Sequence, residues 1–85
     1  METSQARPVI HRLPTVKAES GYSRSTIYLR ISQGLFTKPV SLGARAVGWP
    51  ASEVTALNAA RIAGKSDAEI RELVIKLESA RKSLA

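Results

Sequence analysis

The sequence predicts a mainly α domain carrying one small β-hairpin. Three observations support this. Four stretches have helical start and stop signals, one run from Val40 to Val47 flanks a turn at Gly43-Ala44-Arg45, and there is no cysteine to staple a loop-rich fold. A chain of 85 residues has room for one domain. At this size it buries only about 60–65% of its unfolded surface, so the core is thin and must rest on helix packing or self-association.

Residues 1–11 show no periodicity and read as a flexible arm, to which Val9 and Ile10 add at most a short extended piece. Met1 to Pro8 contains no apolar stretch of the kind a signal peptide needs. The first helix begins around Pro14, since proline loses nothing in a first helical turn. Leu13, Val16 and Ala18 form its apolar side, and Gly21 closes it. Ser23 then caps a second helix running from Arg24 to about Gln33, with Gly34 behind it. Ile27 and Ile31, four apart, mark its buried side, and Ser25, Thr26, Leu29, Arg30, Ser32 and Gln33 fall on the other. Two short helices joined across a tight glycine turn make a helix-turn-helix.

Pro39 disfavours helix at the residue before it. Val40 and Leu42, then Ala46 and Val47, form the hairpin, with Arg45 at its tip. A two-stranded ribbon of this size must lean on helices, and Phe36 and Trp49 are the large residues available. A third helix spans about Ala51 to Ala63, with Val54, Leu57 and Ile62 facing inward and Gly64 ending it. Ser66 and Glu69 match a capping box, which opens a fourth helix from Asp67 to about Ser83. Its residues Ile70, Leu73, Leu77, Ala80 and Leu84 follow a three–four spacing. That pattern serves a short self-association seam or an amphipathic helix packed on its own domain.

The formal net charge of +6 is unevenly spread. Before Ala51 there are seven basic residues (Arg7, Arg12, Lys17, Arg24, Arg30, Lys38, Arg45) against Glu2 and Glu19, whereas the remainder is nearly balanced. A polyanion partner is therefore expected on the first half. Catalysis is not expected. The one histidine, His11, lies in the arm with no cysteine or carboxylate cluster to complete a metal site, and no phosphate-cradling glycine loop occurs. No cofactor is implied. No apolar run approaches the roughly 18 residues that span a bilayer, and the absence of cysteine fits a reducing cytoplasm.

Four pieces of the sequence resemble the AlpA-type prophage regulators, which are small winged-helix proteins related to phage excisionases and, more distantly, to MerR-type DNA-binding domains. They are Arg12-Leu13-Pro14; Gly21-Tyr22-Ser23-Arg24-Ser25-Thr26-Ile27-Tyr28; Gly34-Leu35-Phe36-Thr37-Lys38-Pro39-Val40; and Gly43-Ala44-Arg45-Ala46-Val47-Gly48-Trp49 followed by Ser52-Glu53-Val54. The resemblance implies a winged helix-turn-helix over residues 12–63, followed by the 66–84 helix, in a cytoplasmic bacterial protein. It implies regulation of transcription or an excision cofactor that bends DNA. Two positions depart from the family's pattern. Leu29 precedes Arg30 where a basic residue followed by an apolar one is usual, and Thr37 replaces a proline, which is expected to loosen the approach to the wing.

In such a fold the second helix enters the major groove of double-stranded DNA. Arg24, Ser25, Thr26, Tyr28 and Arg30 are then the candidates for base or phosphate contact. Arg45 is the candidate for an adjacent minor groove, and Lys38 and Lys17 for the backbone. Ile70, Leu73, Leu77 and Leu84 are the candidate dimer interface. An integrase or other phage protein is the alternative partner, with the chain acting as an interaction module through its last helix.

Overall fold

The structure, a computed structural model, describes residues 9–84, without the side chain of Leu84. The arm reading over Met1–Pro8 therefore lies outside the described residues. Helix α1 (Leu13–Ser20) begins with Pro14 in its first turn, where the missing N–H has no helical partner to lose. It ends where Gly21 takes a left-handed φ of 76° and donates its N–H to the Lys17 carbonyl at 2.9 Å. Val16 is fully buried. Ala18 is exposed, against expectation, because two helical positions from Val16 lie on nearly opposite sides.

After the turn Gly21-Tyr22-Ser23, helix α2 (Arg24–Ser32) starts on the expected cap: the Ser23 hydroxyl accepts from the Thr26 N–H at 3.2 Å. Ile27 is fully buried and Ile31 half-buried, so the core-facing side is the one the spacing indicated. The Leu35 N–H bonds back to the Arg30 carbonyl at 2.8 Å and closes the helix.

The sheet has one strand more than expected. Strands β2 (Val40–Gly43) and β3 (Ala46–Pro50) form the hairpin. Ile10–His11, which fall within the expected arm, form β1 on the other edge of β3, giving the order β1-β3-β2 with both pairings antiparallel. Ile10 pairs with Pro50 and His11 with Trp49, and the Val9 carbonyl accepts from Ala51 N–H at 2.7 Å. A two-residue strand has no periodicity to read, so its long-range partner decides it. The central strand must also be thin at Gly48, where an added Cβ would stand 2.5 Å from the Ile10 side chain and 3.0 Å from the His11 carbonyl oxygen.

Helix α3 (Ala51–Ile62) buries Glu53, Val54, Leu57 and Ala60. Ile62, expected on the inner side, is 87% exposed. Five positions beyond Leu57 fall off the helical stripe, and Ala60 takes the inner place instead. Helix α4 (Asp67–Ala80) opens with both halves of the capping box made. Hydrogen bonds from the Ser66 backbone and side chain, then the charge of Lys65, hold the Glu69 carboxyl below its ordinary range. A lowered folded value means that its contribution to stability is present above the ordinary carboxylate range and is lost as the pH falls through the lowered value. The α-helix stops at Ala80 and tightens into a 3-10 turn over Arg81–Leu84, so it is shorter than the stretch expected to reach Ser83.

Trp49, Ile27, Leu57, Val16 and Val54 are the fully buried apolar side chains of the core. Ile70 and Val74 of α4 join the same core, with Leu73 and Leu77 packed against it. Of the residues expected along a self-association seam, Ile70, Leu73 and Leu77 thus pack within the chain, Ala80 is exposed, and the Leu84 side chain lies outside the described residues. The buried stripe centres on Val74, so it follows the broader inward face of a packed helix and not a narrow coiled-coil seam.

Three arginines of the second half hold carbonyls of the first. Arg61 donates to Ser20 O at 3.0 Å and Arg71 to Gln33 O at 2.9 Å, at the C-terminal ends of α1 and α2. Those carbonyls have no helical partner and carry the negative end of the helix dipole, which a cation complements. Arg81 donates to Lys38 O and makes a two-pronged pair with buried Glu53, at 2.7 and 2.8 Å. That bonding pushes the Arg81 pKa up, so the guanidinium stays charged at every working pH.

Thr37 is fully buried, and its carbonyl accepts from the Trp49 indole N–H at 2.9 Å. The approach to the wing is therefore clamped here and not loosened. The cost is a Thr37 hydroxyl with no hydrogen-bond partner. Element by element, the chain is a winged helix-turn-helix followed by a C-terminal helix.

Two stability measurements check this account. Arg81→Ala leaves Glu53 buried without its partner and is expected to cost about 3 kcal/mol, most of it recovered when Arg81→Met is combined with Glu53→Met. Thr37→Val keeps the shape, removes the unpartnered hydroxyl and is expected to raise stability by about 1 kcal/mol. Urea unfolding followed by Trp49 fluorescence reads both, and a destabilised Thr37→Val would contradict the second.

Candidate nucleic-acid interface

The second helix of a helix-turn-helix presents to a groove the side that its core does not use. In α2 the buried side is set by Ile27 and Ile31. At about 100° per residue, the positions directly opposite are Ser25 and Leu29. Both are exposed, Leu29 at 56%. Arg24 and Tyr28 flank that line on one side, and Thr26 and Arg30 on the other.

The flanking residues are held by their neighbours. Arg24 lies over the Tyr28 ring at 5.2 Å, and the Tyr28 ring in turn meets Trp49 edge-on at 6.2 Å. This stacking orients an exposed guanidinium without neutralising it. Arg30 is half-buried and lies 5.6 Å over the Tyr22 ring, with Arg61 on the same ring at 4.4 Å. Tyr22 itself packs edge-on against Phe36. Arg30 is thus drawn towards its own domain, whereas Arg24 stands clear at the start of the helix.

Thr26 has a structural duty as well. Its backbone N–H is the one that the Ser23 cap receives, and its hydroxyl accepts from Ser23 Oγ at 3.0 Å. Ser32, on the outward side, donates its hydroxyl to the Leu29 carbonyl at 2.6 Å and is bound up in its own helix.

Arg45 is exposed at the hairpin tip with a φ of +61°, the left-handed region. A side chain there costs roughly 1–2 kcal/mol, which glycine would avoid. The register slips between Ser41 and Gly43. This irregularity leaves Leu42 exposed beside the tip, together with Val47. Such slips twist a hairpin and re-aim its side chains.

Lys38 is exposed but belongs to another neighbourhood. Its backbone N–H donates to Glu78 Oε2 at 2.9 Å and its carbonyl accepts from Arg81, so it sits at the foot of the hairpin against α4. It lines a shallow cleft with Ile31, Phe36 and Ile75, apart from the Arg24 cluster. His11 is half-buried in β1, its Nε2 3.3 Å from Glu19 Oε2. Among the described residues no group of three or more histidines, cysteines or carboxylates could hold a metal ion, and no helix is long and apolar enough to cross a membrane.

The sequence reading missed Tyr22 and Arg61, which support Arg30. The only local signal was an aromatic residue in the turn itself. Arg61 lies far along the chain and no motif ties it to Ser20.

The chain is 54% identical over 54 residues to "Uncharacterized protein ORF88" of Enterobacteria phage P4; the aligned stretch is 64% of this chain and 61% of that relative's length. The chain thus spans about three-fifths of the relative it matches. No solved structure matches it. The family model described as "Prophage CP4-57 regulatory protein (AlpA)" matches residues 9–62, a stretch that begins just before β1 and ends with α3. With the helix-turn-helix and the wing both inside that match, the chain belongs to the AlpA family of prophage regulatory proteins.

Proposed function

We propose that this chain is a sequence-specific regulator of a prophage or integrative element that binds double-stranded DNA in the cytoplasm. In this reading α2 enters the major groove and the hairpin tip carries Arg45 into the adjacent minor groove. The observation that carries it is the outward face of α2. A short, capped helix presents Ser25 and Leu29 on its solvent side with Arg24 beside them, while its other side is locked into the core through Ile27.

Within this reading Arg24 is the principal base or phosphate donor and Ser25 a second polar contact. Tyr28 offers its hydroxyl to a phosphate. Thr26 and Arg30 contribute from the flank, limited by their internal partners. Lys38 is at most a distant backbone contact, given its place beside α4. Assembly through Ile70, Leu73 and Leu77 is not favoured, since these residues pack on their own core.

A second reading, an excision cofactor that bends DNA, is favoured by one feature. Leu42 and Val47 stand exposed beside Arg45, and apolar side chains at a minor groove can wedge between base steps. The two readings share the DNA-bound geometry and differ in whether the bound duplex is kinked.

Binding should weaken with salt by a log–log slope of about −0.9 for each phosphate neutralised. Arg24→Ala should lose roughly 1–3 kcal/mol and relax specificity at its position. Fluorescence anisotropy on duplexes selected from a random library measures both, and a flat salt response would remove DNA as the partner. Arg45→Gly should separate folding from binding. It relieves the left-handed strain, so stability is expected to hold or rise by up to about 1 kcal/mol, while affinity falls. An unchanged affinity would take the hairpin tip out of the interface.

A further inference from the structure

Leu29 is the residue on α2 that the fold does not explain. It stands directly opposite the buried Ile27–Ile31 side, it is 56% exposed, and it belongs to no part of the core cluster. Its outward neighbours along the helix are Ser25, one turn before, and Ser32, whose hydroxyl is bonded to the Leu29 carbonyl. The middle of the outward face is therefore an apolar side chain set in a polar surround. A leucine there contributes helix propensity but no burial, since leaving it in water forgoes the transfer free energy of its side chain.

The major groove offers one apolar group among its base edges, the C5-methyl of thymine. We infer that Leu29 is a specificity-determining residue that packs against a thymine methyl in the bound major groove. The inference rests on the reading of α2 as the recognition helix. Ser25, which can donate or accept, then discriminates little by itself, because a hydroxyl pairs with several base edges. Leu29 supplies the discrimination by shape and by excluding water from the methyl. It also disfavours cytosine at that position, which lacks the methyl group.

The test does not depend on the natural site. A randomised duplex library is selected with the unaltered chain. Each thymine of the selected site is then replaced singly by deoxyuridine, which lacks only the methyl. For the unaltered chain, one position should lose about four- to fifteen-fold in affinity, the scale of one or two buried methyl-sized groups. For Leu29→Ala that same replacement should have no effect, while sensitivity at other thymines stays as it was. Leu29 is exposed, so its replacement should leave the melting temperature unchanged and the comparison is between folded proteins.

Equal deoxyuridine sensitivity of the two proteins at every thymine overturns the assignment, as does a selected site without thymine. It is also overturned if Leu29→Ala keeps its site preference and loses only self-association, which would make Leu29 a protein contact. Failure to enrich any duplex is a different result: it removes the DNA-binding reading itself, and this inference with it.

Discussion

The buried indole of Trp49 is the joint on which the geometry depends. It lies in the central strand, paired across its backbone with His11 of β1, and its N–H is fixed by the Thr37 carbonyl. Its ring meets Phe36 edge-on at 6.4 Å and Tyr28 of α2 edge-on at 6.2 Å. One side chain therefore sets the hairpin and the second helix relative to each other. Edge-to-face pairs of this kind add roughly 0.5–1.5 kcal/mol beyond the area they bury. Their angular preference matters more here, since a reader made of two parts works only if the parts are held at a fixed spacing.

The local signals of the chain are legible wherever an element is governed by its own residues. Ser23 and Ser66 cap helices because a hydroxyl just ahead of a helical run has an orphan N–H within reach. Gly21 ends α1 because the left-handed turn costs it little. The hairpin around Gly43-Ala44-Arg45 and the core role of Trp49 follow from turn chemistry and size. What escapes is long-range. Strand β1 exists because β3 lies beside it; Val9 and Ile10 offer a short extended piece, but nothing in Ile10-His11 names the strand it joins. Glu53 looks like an ordinary first-turn acid, and only Arg81 makes it a buried one. The spacing in α4 marks an apolar, periodic face, but periodicity does not say whether the partner is another chain or the same one.

The candidate interface divides in the same way. Arg24, Ser25 and Arg45 can be named from the sequence because they sit at a helix start and a hairpin tip. Arg30, Thr26 and Lys38 have duties that only the packed structure reveals: stacking on Tyr22, completing the Ser23 cap, and anchoring the foot of the wing against α4. The charge asymmetry acquires a physical meaning as well. In the second half, Arg61, Arg71 and Arg81 are directed inward at carbonyl oxygens. Their work is architectural, and the exposed cations at the reading edge come from the first half.

Those three inward contacts have a consequence for how the protein is made. Each joins partners separated by 38 to 43 positions. Chains are synthesised from the N-terminus at about 5–20 residues per second and tend to fold in that order. Here the helix-turn-helix emerges from the ribosome with the last carbonyls of α1 and α2 still unclaimed. The Lys38 carbonyl at the foot of the wing stays unclaimed until Arg81 itself is outside. The recognition element is thus translated before all of its supports, and a nascent chain held short of residue 81 carries the recognition residues without the Arg81 contacts to Lys38 and Glu53.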